Sequence, residues 1–119
     1  MLARDRRVRH LRLTCRREEH ARQARVRLED ALRTASLGDD ARLIVVRRLD
    51  LGLIPLWASA TEWSRKLEER FRQLRSEMVS VEHPLARDAA AVFFGNAAEP
   101  WLRLAERAAR GQPTKEWFW

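Results

Sequence analysis

Cysteine is almost absent from this sequence: Cys15 is the only one in 119 residues. An internal disulfide is excluded, and with no Cys/His cluster around it a zinc site of familiar spacing is excluded too. As a nucleophile Cys15 needs a base. His10 and His20 each stand five residues away, a spacing that neither a strand nor a helix turns into a dyad. It reads as an inert structural thiol. Glycine is sparse as well. Gly38, Gly52, Gly95 and Gly111 stand alone, each at the end of an element, so no phosphate loop exists and turn geometry accounts for them. No apolar run approaches the roughly 20 residues that cross a bilayer, and no long apolar segment follows the basic start, residues 1–9. Neither a membrane span nor a secretory signal is expected, and the expected compartment is cytoplasmic. His-Glu-x-x-His, Gly-x-Ser-x-Gly and Cys-x-x-Cys are all missing. His10, His20 and His83 are far apart, and Asp39-Asp40 beside Gly38 is turn chemistry. The sequence offers no catalytic group, no cofactor site and no metal site, and it reads as non-enzymatic.

Arginine, by contrast, is plentiful, making up 22 of the 24 basic residues. The net charge of +7 is uneven: residues 1–50 hold 14 Arg against 8 Asp/Glu, and the rest 10 Lys/Arg against 9. Such asymmetry marks a face for nucleic acid or an acidic partner, and a codon preference for arginine produces the same pattern.

With 45% apolar residues, a chain of this length reads as one folded domain spanning 1–119. Three cycles of extended segment and amphipathic helix are visible. Residues 8–14, with Leu11-Arg12-Leu13 alternating, predict a half-buried strand. Ala21, Ala24, Leu28, Ala31, Leu32 and Ala35 form one stripe of a helix over 17–36. Leu43-Ile44-Val45-Val46, three of them β-branched, predict the central strand, buried on both faces and continuing toward Leu51. Pro55 interrupts the apolar residues 53–57 and makes them a connector or sheet edge. Ser59, three residues before Glu62, has capping-box spacing, with Thr61 as a competing cap. Trp63, Leu67, Phe71, Leu74 and Met78 then give the cleanest helical period. Residues 89–94 predict a third strand. Asn96 or Glu99 caps a last helix with Trp101, Leu104, Ala105 and Ala108 inward, and Gly111 closes it. The expected class is α+β: a βαβαβα arrangement, a three-stranded sheet with three amphipathic helices packed on it.

Candidate binding residues come from two groups. Arg47 and Arg48 interrupt the most apolar strand. Either one is buried against Asp50, or a sheet face is left open for a partner. Five tryptophans are many for this length. Trp57 sits beside a proline-containing connector, and Trp117-Phe118-Trp119 ends the chain. Aromatic groups there either fold back or contact a partner. Partner binding, through a protein or self-association, is therefore expected at Trp57, Trp117, Phe118, Trp119, Arg47 and Arg48, with nucleic acid as the alternative partner of the arginine-rich first half.

Arg48-Leu49-Asp50-Leu51-Gly52, the helix over 63–78, and Gly111-Gln112-Pro113 with Trp117-Phe118-Trp119 together resemble the N-terminal region of tape-measure-type proteins of phage-tail-like contractile injection systems. Those proteins are similar in opening with a strand and an amphipathic helix. A strand ending in Asp-Leu-Gly, a second helix and a later Gly-x-x-Pro-Trp-Trp type of segment follow. They are far longer than this chain, and their aromatic motif is spaced differently after its proline. The resemblance implies a structural module that docks onto other components of a tail-like assembly. It also implies that residues 1–119 are either the N-terminal part of a longer protein or a small relative, and it brings no catalytic residues.

Overall fold

Small apolar residues spaced three and four apart produce the first helix, α1 (Glu18–Thr34), in a computed structural model that describes residues 6–38 and 41–119. Leu28, Ala31 and, just beyond the helix, Ala35 are buried, as the stripe predicts. Glu18 and Glu19 in the first turn and Arg33 in the last oppose the helix dipole. The C-terminal carbonyls are met by Arg6, whose Nη1 donates to Leu32 O and to Ala35 O at 2.7 Å each. Helix α2 (Ala60–Glu77) starts where Ser59 caps it: Glu62 N donates to Ser59 Oγ at 3.2 Å. Trp63 and Leu67 are buried, and Phe71, Leu74 and Met78 half-buried.

Two compact units divide the chain: residues 1–37 with 51–70, and residues 38–50 with 71–119. In the first, Ser36 N donates to the Glu68 carboxylate at 2.7 Å, and Leu28, Ala31, Ala58, Trp63 and Leu67 are its buried apolar residues along with Ala35. Gly52 turns the backbone at φ +71, where a side chain is strained.

The second unit holds the sheet. Its strands are β1 (Leu43–Val46), β2 (Val79–Ser80) and β3 (Ala91–Phe94), in the order β1-β3-β2. β1 runs antiparallel to β3, Leu43 opposite Phe94, and β2 runs parallel to it, Val79 opposite Val92. Ala86, Val92, Phe94 and Phe118 form the core, with Leu43, Val45, Val79 and Val81 packed against it. Helix α3 (Glu99–Ala109) completes the unit.

The α+β class stands, with three helices and three strands among the described residues, but their order is α-β-α-β-β-α. Residues 8–14 form no strand. Val8 and Leu11 are exposed, and a strand carrying Arg9, His10 and Arg12 around so few apolar side chains buries too little surface to offset the cost of ordering it. The third strand is Val79–Ser80 instead, two residues that a local pattern cannot distinguish from the end of a helix. β1 is an edge strand rather than the central one, and all four of its residues are only half-buried. The centre belongs to β3, whose Ala91, Val92 and Phe94 are buried. The strand also stops at Val46 rather than continuing to Leu51, one further bond running from Arg47 N to Ala90 O at 2.8 Å. The turn expected at Gly38-Asp39-Asp40 falls partly outside the described residues; Gly38 itself has φ +89.

Candidate functional site

The connector after Gly52 presents apolar side chains to solvent. Leu53 is 98% exposed, Trp57 80%, and Leu56 more than half. Pro55 has no N–H to join a ladder, and its carbonyl closes a turn by accepting from Ala58 N at 3.0 Å. Ala58 is fully buried and Ser59 caps α2 directly after it. The segment is thus fixed at both ends, by the Gly52 turn and by the Ala58 anchor, with its large apolar groups outward. Trp57 is where the sequence places a binding residue. Leu53 and Leu56 were missed, because an apolar side chain beside a proline reads equally as core.

Trp117, Phe118 and Trp119 take the other course and fold back. Phe118 is buried, edge-on to Phe94 at 6.3 Å, and Trp119 lies 5.6 Å from the same ring. The aromatic end closes this unit's own core because β3 otherwise leaves Phe94 uncovered on that side. Trp119 Nε1 donates to Glu116 at 2.8 Å, Glu116 pairs with Arg107 at 3.3 Å, and the Arg107 guanidinium lies 5.0 Å from the Trp119 ring. Arg107 also donates to Pro113 O at 2.9 Å, tying the last segment to α3.

Helix α3 turns a different side inward from the one expected. Trp101 is 74% exposed, Leu102 64%, and Ala105 and Ala108 are exposed, so of the expected inner stripe only Leu104 is half-buried. The side turned inward carries Arg103 and Arg107. Arg103 pairs with Glu99 at 2.8 Å and with Glu82. The ends are built as the sequence predicts. Asn96 Oδ1 accepts from Ala98 N at 3.0 Å and Glu99 N at 2.9 Å, and Glu99 reaches back to Gly95 N. At the other end Gln112 N bonds Arg107 O at 2.8 Å and Gly111 N bonds Ala108 O at 3.1 Å, with Gly111 at φ +65. The inward side of this helix therefore carries ion pairs together with the half-buried Leu104.

Arg47 and Arg48 are both exposed, so neither needs a buried partner. Arg48 lies 3.8 Å from Asp50, an open pair worth little, and the Arg47 guanidinium is 5.9 Å from the Trp117 ring. Of the two alternatives, the one with a buried arginine fails, because the strand ends before them.

A shallow cleft of roughly 240 Å³ lies between His83, Arg87, Asp88, Arg107, Glu116 and Phe118. Three of its groups are committed to the fold: His83 Nδ1 accepts from Leu85 N at 3.0 Å, and Arg107 and Glu116 hold each other. Among the described residues no group of His, Cys, Asp and Glu is placed to hold a metal ion, and no helix is long and apolar enough to cross a membrane. Cys15 is free and exposed.

Two carboxyls are held below their ordinary value of 4.5. Glu99 is lowered first by the Gly95 N–H and then by Arg103; Glu116 is lowered first by its own backbone N–H, then by Trp119 and Arg107, against the opposing effect of burial. A carboxyl depressed in the folded state adds stability above 4.5 that disappears as pH falls through the folded value. The melting temperature is therefore expected to drop as pH is lowered below 4.5, and Glu99→Gln with Glu116→Gln is expected to flatten that slope. Thermal melts across pH measure it, and a double variant with the parent's slope refutes the assignment.

Comparison with family models, curated protein sequences and solved structures finds no match for this chain.

Proposed function

We propose that this chain is a non-enzymatic protein-interaction or assembly module, a structural component of a phage-tail-like contractile injection system. The observation that carries the interaction reading is the connector at 53–57, where Leu53, Leu56 and Trp57 stand in solvent on a segment anchored at both ends. Large apolar groups that add nothing to the core and are held in place fit a docking surface, and tryptophan is favoured at the centres of such surfaces. Trp101 and Leu102 on α3 add a second exposed apolar patch. The tail-like assembly is named by the resemblance of Asp50-Leu51-Gly52, the helix after it and the terminal aromatic segment.

Nucleic-acid binding is the second reading, favoured by Arg7, Arg9, Arg12, Arg16 and Arg17, all exposed on a stretch without helix or strand. Helix α1 argues against extending it, because Arg22, Arg25 and Arg33 are paired there with Glu18, Glu29 and Asp30. Two measurements separate the readings. A photo-reactive phenylalanine derivative at position 57, activated in the producing cell, is expected to cross-link to a structural protein of the assembly or to a second copy, with yield reduced by Leu53→Ser. Labelled duplex DNA and single-stranded RNA are expected not to bind at either low or physiological salt. Absence of any protein adduct, together with nucleic-acid affinity that falls steeply with salt, transfers the function to the arginine segment.

A further inference from the structure

The edge position of β1 has a chemical consequence. In an antiparallel ladder, alternate residues exchange bonds with the neighbour or turn their backbone groups away. Arg47 N bonds Ala90 O, and the register pairs Val45 with Val92 and Leu43 with Phe94. Residues 43, 45 and 47 therefore face β3, and Ile44 and Val46 direct N–H and C=O to the outer side, where no further strand of the sheet lies among the described residues. Natural edge strands are commonly blunted by being very short or by lysine, proline or an inward charge. Leu43-Ile44-Val45-Val46 is short but contains no lysine, proline or charge. Its charges stand at the ends: Arg42 before it, with its guanidinium 4.5 Å over the Phe93 ring, and the exposed Arg47 and Arg48 after it.

We propose that the open edge of β1 is a docking site for an extended strand of a partner protein, apolar in its middle and carrying a carboxylate beside Arg47 and Arg48. Backbone bonds to Ile44 and Val46 supply the pairing, and the two arginines select the acidic end. Charge decides the occupant. The chain's own extended segment at 8–14 carries Arg9 and Arg12 and no acid, and placing it beside Arg47 and Arg48 sets like charges against each other. Asp50 offsets Arg48 only weakly, since both side chains are mostly exposed at 3.8 Å. The proposal rests on the interaction-module reading and names the partner's chemistry.

The test is amide NMR on the full chain with two synthetic peptides of alternating valine and threonine, one with two aspartates at its N-terminal end and one at its C-terminal end, to cover both strand directions. The expected result is that an aspartate peptide shifts the Ile44 and Val46 amides and slows their exchange. Lysine replacing aspartate abolishes binding, and Arg47→Glu with Arg48→Glu weakens it by about tenfold. Val46→Pro, whose lost N–H points away from β3, blocks binding with the melting temperature retained; the charge-reversed variant serves if the proline variant does not fold. Equal binding of the lysine peptides, or no shift at Ile44 and Val46, overturns the proposal. So does a concentration-dependent shift of those amides without peptide, which assigns the edge to a second copy. If the edge fails while position 57 still cross-links to an assembly protein, the module reading survives; failure of both removes it.

Discussion

Phe118→Ala is expected to destabilise the second unit by about 3–5 kcal/mol, the range for removing a buried phenylalanine ring. Phe118 is 7% exposed and packs with Ala86, Val92 and Phe94. Trp117 and Trp119 lie 5.3 and 5.4 Å from its ring, so its loss also removes the support of both neighbours. The Glu116–Arg107 pair, the Trp119 indole bond and the Arg107 bond to Pro113 O hold this segment in place, so the backbone does not readily close the cavity left behind. The measurement is the midpoint of urea unfolding, with an unchanged slope marking a pure stability change. Trp101→Ala serves as the control: a larger ring, 74% exposed, and expected to change stability by no more than about 0.5 kcal/mol. Equal effects from the two substitutions refute the folded-back terminus.

The contrast between these rings shows where a sequence stops being legible. Helix ends were readable from Ser59, Asn96 and Gly111, because capping chemistry is local and each residue satisfies backbone groups within three or four positions. The stripes of α1 and α2 were readable too, since long regular periods leave one choice of buried face. The stripe of α3 was equally regular and misled, because Arg103 and Arg107 find Glu82, Glu99 and Glu116 and turn their own side inward. Those partners lie 4 to 21 residues away, and a local pattern cannot see the more distant ones. The same limit hid β2, which is a strand only because Val92 and Phe93 lie beside Val79 and Ser80. Of the candidate site, Trp57, Arg47 and Arg48 were identified as residues, but that the first stands in solvent and the others flank an open sheet edge depended on where the strand ended.

The first unit allows the sharpest separation of folding from docking, because it holds two leucines at opposite extremes. Leu67 is 1% exposed on α2 and Leu53 is 98% exposed in the connector. Leu67→Ala is expected to cost about 2–5 kcal/mol, the transfer energy of the lost methyl groups plus the cavity they leave. Leu53→Ala removes the same atoms, is expected to stay within about 0.5 kcal/mol of the parent, and has no contact area to lose in the free chain. Thermal and urea unfolding of the two variants side by side measure the difference, and amide exchange is expected to rise across α1 and the start of α2 for Leu67→Ala alone. If Leu53→Ala proves as damaging as Leu67→Ala, the connector belongs to the core and the docking surface does not exist. If it is neutral, folding gives no reason for a leucine to stand in water beside Leu56 and Trp57, and the energy that burying those three side chains would release remains available for a partner.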